Sequence, residues 1–303
     1  MIGILVILVA VMLPALARAK GISGRGSCAK NLKQWGTIFH MYAVESPGGK
    51  YPLVNIEPTP DWASVKAAAA PHILSLWLAY FTDPSLLVCP MAKSNDVGRY
   101  LDDSGVPDFN SLKTRLRAGD SYSYIGWTLD RCNDDDPSQK LKDLMPLLTM
   151  AGAPLPPLDI EESVAPLQLV RALFGLVQLG MDDLSAGVPV GQVIFKYIDA
   201  DLGVGDDDEG KGLGNGGSRM LFRLRQDLRS VVAEGGGDPD APSLKPSEVF
   251  VMFDKISGDK KEYNHQPAGS NVLYLDGHVE YRRFPGKAPL TKGAARLLGI
   301  LDR

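Results

Sequence analysis

Cysteine is scarce: the 303 residues contain three. That is too few for a disulfide scaffold, and Cys28, Cys89 and Cys132 are too scattered for a C-x-x-C metal site. Histidine numbers four, and neither H-E-x-x-H nor G-x-S-x-G occurs, so no zincin or serine nucleophile stands out. Charge of one sign is also missing. Lys and Arg total 32 against 36 Asp and Glu, a net charge of −4, so nothing global marks a nucleic-acid binder. A mean hydropathy of −0.05 excludes a polytopic membrane protein. What is present is a core: 45% hydrophobic residues exclude a wholly disordered chain, and 22 Pro with 32 Gly point to long loops. The length suits about two average domains, or one with a long extension.

One hydrophobic run exists, and it comes first. Met1 to Ala17 carries no charge and no strong hydrogen-bonding side chain. As a helix it would span about 25 Å, slightly short of a hydrocarbon core of about 30 Å. No basic segment precedes it, as a secretory signal requires. Arg18, Lys20, Arg25, Lys30 and Lys33 follow. Cys28, Leu32, Trp35, Phe39 and Tyr42 then recur at three and four, one helical stripe with Asn31, Lys33 and Gln34 off it. An apolar helix therefore runs into an amphipathic one, with room for a break at Gly21 to Gly26 and a stop by Pro47-Gly48-Gly49.

Further along, the pattern predicts helices over 73–80, 140–148, 160–184 and 218–234. In the third, Val164, Leu167, Val170, Leu173, Phe174 and Val177 would face the core. In the fourth, Leu221, Leu224 and Leu228 would share a face. Ser121 to Trp127 and Val249 to Phe253 read as strands. Asp276-Gly277 suits a type I′ hairpin turn with positive φ at both residues, within a hairpin over 271–284. That register places Val272, Tyr274, Val279 and Tyr281 on one face, and Leu273 and Leu275 on the other with His278 and Glu280.

Two tracts carry a family resemblance. The first is Ile2-Gly3-Ile4, then Leu13-Pro14-Ala15-Leu16, then Cys28-Ala29-Lys30-Asn31-Leu32-Lys33-Gln34. The second runs from His265 through Asn271 to Asp276-Gly277-His278, with ten residues between His265 and Asp276 where the common form has nine. Together they resemble prepilin-like proteins, the planctomycete-type relatives of the type II secretion G-like pseudopilins. Leu86 to Pro90 and Ser121 to Trp127 also resemble family segments. On the family register Met1 stands where a valine is usual. The resemblance thus implies a truncated gene model, with the processing site and the family's glutamate upstream.

The resemblance implies an α+β, pilin-like fold: residues 1–46 as the N-terminal helix and 47–303 as an extracytoplasmic head with an antiparallel sheet. It implies a structural subunit rather than an enzyme, held in the inner membrane and then packed in a filament. The assembly residues would be Ile2, Gly3, Ile4, Leu5, Leu8, Leu13, Pro14 and Leu16. The implied partners are copies of itself or of similar subunits, the prepilin peptidase and the assembly machinery, with no nucleic acid and no cofactor apart from calcium, which some secretion pseudopilins bind in a C-terminal loop. Cys28 and Cys89 both fall in family-like motifs, which favours their pairing, though three pairings or three free thiols stay open. Two rivals remain: a membrane-anchored binding module that does not polymerise, and an exported enzyme whose signal ends at Ala15-Leu16-Ala17.

Other candidate chemistry is thin. Gly205 to Lys211 matches G-x4-G-K, but Gly212 replaces the metal-holding hydroxyl and four acids fill the loop. Asp199, Asp201, Asp206, Asp207, Asp208 and Glu209 offer the oxygens that calcium needs, without EF-hand spacing. His265, Asp276 and His278 are metal-ligand types, but His265 is expected to order its loop through backbone hydrogen bonds. His40 and His72 show no partner in the sequence.

Overall fold

The structure, a computed structural model, describes residues 2–92, 95–146, 163–207, 210–234, 244–257, 263–265 and 269–301, with the backbone alone for 2–22 and 300–301. Its helices are α1 (Ile2–Glu45), α2 (Leu112–Leu116), α3 (Leu167–Leu179), α4 (Met181–Ser185), α5 (Val190–Tyr197), α6 (Leu228–Glu234) and α7 (Lys292–Leu301). Its strands are β1 (Val54–Pro58), β2 (Val65–Pro71), β3 (Tyr122–Tyr124), β4 (Ser138–Lys140), β5 (Val164–Pro166), β6 (Leu202–Gly203), β7 (Met220–Leu221), β8 (Phe250–Asp254), β9 (Gly269–Tyr274) and β10 (Val279–Arg283). The class is α+β, and every described strand pairing is antiparallel.

The central sheet has the order β10-β9-β8-β3. One hydrophobic cluster joins it to α1, through Cys28, Leu32, Trp35, Ile38 and Phe39 on the helix and Tyr122, Tyr124, Met252 and Leu273 on the sheet. A second cluster joins Phe250, Phe253, Val272 and Tyr274 to residues of α3, α5 and α7. In β8, Val251 and Met252 are neighbours in sequence yet both belong to the first cluster. A register shift between Phe250 and Met252 accounts for this, since a bulge reverses the alternation of faces.

Of the stripe read from α1, Cys28, Leu32, Trp35 and Phe39 are buried and Tyr42 is half-buried, while Lys33 and Gln34 are exposed. The helix runs unbroken through Gly21 to Gly26. At Gly24 a Cβ would collide with the side chain of Met91, so the missing side chain lets the head approach closely. The chain turns after Glu45 through Gly48 and Gly49, both at positive φ. Among the described residues no helix is long and apolar enough to cross a membrane. The side chains of Ile2, Gly3, Ile4, Leu5, Leu8, Leu13, Pro14 and Leu16 lie outside those described.

Several expected elements differ. Residues 73–80 form only a 3₁₀ turn, Ile73–Ser75, because Leu78 adopts φ 67 and turns the chain so that Trp77 packs on Phe81 and Phe109. Within 140–148, a 3₁₀ turn spans Leu141–Leu144, residues 145–146 are helical, and Lys140 belongs to β4, paired with β5; residues 147–148, and 160–162 of the next expected helix, lie outside those described. Val164 is thus in a strand and exposed. The buried stripe of α3 holds Leu169, Val170, Ala172 and Leu176, while Leu167, Leu173, Phe174 and Val177 are partly buried. In 218–234 only α6 is helical. Leu221 to Arg225 are buried on every side, and Leu221 lies in β7.

The hairpin turn also differs. Gly277 N–H donates to Tyr274 O at 2.9 Å, and Tyr274 N–H donates to His278 O at 3.0 Å. Only Gly277, at φ 84, has positive φ; Asp276 does not. This is a longer loop with a left-handed glycine rather than a two-residue I′ turn. The pairing becomes Val279 with Leu273, Glu280 with Val272 and Tyr281 with Asn271. One residue of shift exchanges the faces: Val279 joins Leu273 beside α1, and Glu280 falls opposite Val272.

Candidate functional site

The helical stripe of α1 carries Cys28 into the interior, where it is 0% exposed. The Cys89 segment is delivered by a 3₁₀ turn, Pro84–Leu87, capped by Asp83, whose carboxylate accepts from Ser85 N at 2.9 Å. Two α1 side chains pin this segment. Trp35 Nε1 donates to Leu86 O at 3.3 Å, and Asn31 Nδ2 donates to Val88 O and to Tyr122 Oη at 3.1 Å each. Cys28 and Cys89 pair as a disulfide with Cα atoms 5.4 Å apart, while Cys132 is buried and free.

Two polar residues complete this interior group. His265 Nε2 lies 3.7 Å from Cys89 Sγ and 2.7 Å from Asp254 Oδ2, and both residues are essentially without solvent contact. Asn271, also buried, donates to Asp254 Oδ2 from its backbone N–H and from Nδ2, each at 2.8 Å, and Nδ2 also donates to Arg25 O at 3.2 Å. Asp254 Oδ1 and His265 Nδ1 are buried with no hydrogen-bond partner among the described residues. One ligand-type atom from each of Cys28, Cys89, Asp254 and His265 lies within 4.8 Å of all the others. The backbone of His265 bridges Gly269, in keeping with the expected loop-ordering role, while its ring faces Asp254 and Cys89. Asp254 escaped the sequence reading, where its sole signal was a carboxylate closing the apolar run Phe250-Val251-Met252-Phe253.

The remaining hairpin residues stand elsewhere. Asp276 and His278 lie at the exposed tip, beyond a strand whose six residues rise about 20 Å. His278 Nδ1 is 2.6 Å from Asp276 Oδ1, and the His278 ring stacks on Tyr274 with centroids 4.4 Å apart. Burial alone would raise the Asp276 pKa. Hydrogen bonds from the His278 ring and backbone N–H outweigh it and hold the carboxyl below its usual range. His265, Asp276 and His278 form no common cluster.

The acidic residues are engaged by cations. Asp199 pairs with Lys50 at 2.9 Å and Arg223 at 3.4 Å, and Asp201 pairs with Arg225. Asp206 pairs with Arg219 at 2.7 Å, which lowers its pKa, and Asp207 pairs with Arg131 at 3.1 Å. Asp208 and Glu209 lie outside the described residues. Among those described, no three of these acids gather at metal-ligand separation. Asp206 and Gly212 form an isolated antiparallel bridge. His40 does have a neighbour: Gln226 Nε2 stands 3.0 Å from its Nδ1.

No protein-family model, curated protein or solved structure matches the chain.

Proposed function

We propose that the chain is a structural pilin-like subunit, a pseudopilin, of a type II secretion or type IV pilus-like filament. The observation that carries this reading is α1: one unbroken helix from Ile2 to Glu45, whose later half packs by the Cys28–Phe39 stripe on an antiparallel sheet. Its earlier half holds the charge-free sequence. In this reading the apolar half is stored in the inner membrane with the head outside the cytoplasm. It is then transferred to the filament core, where it packs against copies of itself. Pro14 lacks an N–H and loosens the helix locally, which eases extraction from lipid. Prepilin peptidase processing and N-terminal methylation belong to the same proposal. No cofactor is required.

The experiment is isolation of sheared surface filaments from cells that make the full-length gene product, with a reporter fused after Arg303 in a parallel strain. Recovery of the chain in filaments, with reporter activity only outside the cytoplasm, is the expected result. A chain confined to the membrane fraction would favour the non-polymerising binding module. A reporter active inside the cytoplasm would defeat both.

A further inference from the structure

The buried group of Cys28, Cys89, Asp254 and His265 has a ligand chemistry beyond the disulfide. We propose that, when the two cysteines are reduced, these four side chains bind one Zn²⁺, so that disulfide and zinc are alternative states of one site. The inference is independent of the filament reading.

The donor set is the first argument. Two thiolates, an imidazole and a carboxylate match the borderline preference of zinc and suit neither calcium nor magnesium. Geometry is the second. A sulfur at about 2.3 Å and a nitrogen at about 2.0 Å on a tetrahedral zinc stand roughly 3.5 Å apart. Cys89 Sγ and His265 Nε2 are 3.7 Å apart. The Asp254–His265 pair, now at 2.7 Å, must open to about 3.3 Å as the metal replaces the proton between them. Unused capacity is the third. Asp254 Oδ1 has no partner among the described residues, so the carboxylate has acceptor capacity left while Asn271 donates to Oδ2 and orients the group as an outer-shell donor does. With all four residues shielded from solvent the site is closed, as structural zinc sites are.

The balance of the exchange is simple. A phosphine and water open the S–S bond to two thiols and the phosphine oxide. Zinc then displaces the two thiol protons, and His265 coordinates through Nε2 with its proton on Nδ1. A disulfide donor of the protein-oxidant class takes the two electrons back and releases the metal.

The test uses the full chain in mild detergent, reduced with a phosphine under inert gas and freed of metal, then titrated with Co²⁺ followed by Zn²⁺. One equivalent of cobalt should bind, with thiolate-to-cobalt charge transfer and tetrahedral d–d bands, and one equivalent of zinc should displace it. The oxidised chain should give neither signal. The double variant Cys28→Ser/Cys89→Ser should lose the charge-transfer band, and His265→Ala should weaken binding at least about tenfold. Near-UV circular dichroism follows folding in the same samples. If the reduced chain unfolds without metal, refolding on zinc supports the proposal, and failure to refold overturns it. A folded, reduced chain that binds no cobalt, or binds it without thiolate charge transfer, also overturns it. So does metal binding that the double serine variant retains.

Discussion

The guanidinium of Arg223 occupies the space that a side chain would need at Gly126. A Cβ there would lie 2.5 Å from Arg223 Nη1, and Gly126 also holds φ 85. Arg223 is 0% exposed and donates to the carbonyls of Gly126, Tyr51 and Pro52, with Trp127 beneath its plane at 5.1 Å. Three segments far apart in sequence thus meet on one cation.

Arg223→Lys should therefore be far from conservative. An ammonium cannot reproduce the planar fork, and buried carbonyls lose their donors. The expected loss is about 3 kcal/mol, read as a lower denaturation midpoint at unchanged slope. Gly126→Ala should also destabilise, from positive φ and the collision together. A stability within error of wild type for either would refute the argument.

At the hairpin, the left-handed residue is Gly277 alone. Gly277→Val should cost roughly 1–2 kcal/mol or more. Asp276→Asn should be nearly neutral, because an amide oxygen still accepts from His278 N, now at 3.1 Å. Melting curves of both variants check this. Wild-type melting of Asp276→Asn combined with lost filament formation would assign Asp276 a chemical role instead.

On α1, burial sorts neighbouring positions sharply. Leu32→Ala removes a fully buried side chain and should cost about 2–5 kcal/mol. Lys33→Ala, one residue on and exposed, should change little. Gly36→Val should be costly despite valine's better helix propensity, since a Cβ there already stands 3.0 Å from Leu273 Cδ1. Equal stability of the first two variants would mean that the stripe is not the packed face.

Folded His72 holds its proton less tightly than the free side chain. Burial lowers its pKa, Glu57 raises it in part, and Arg115 lowers it. The unfolded chain therefore binds the proton first as pH falls. This contribution to stability is complete above the ordinary value of 6.5 and declines as pH drops below it towards the folded value. His72→Gln should flatten the fall in denaturation midpoint between pH 7 and pH 5. An identical slope in the variant would exclude His72 as its source.

The legible parts of the sequence were those where one face is wet. Cys28, Leu32, Trp35 and Phe39 announce a helix because Lys33 and Gln34 alternate with them at helical spacing. Leu221, Leu224 and Leu228 have similar spacing, but the chain from 221 to 225 is buried on all sides, and periodicity carries no information there. The hairpin was readable, though Asp-Gly fits more than one loop length, and the choice between them decides which faces Val272 and Leu273 take. His265 and Cys89 stood out through the family resemblance. Asp254 did not, because its meeting with them depends on three separate segments converging.

The position of the Cys28–Cys89 bond has a mechanical consequence. Among the described side chains of α1, contact with the head begins at Gly24 and Arg25, and Cys28 lies one turn further along the helix. Traction along the helix axis from its first half reaches the Arg25 contacts to Asn271 and Tyr281 first, then this crosslink, and only then Trp35 and Phe39. At the crosslink the load passes covalently into the Cys89 segment. A joint stapled at its leading edge resists peeling, the mode in which hydrogen-bonded sheets fail one rung at a time.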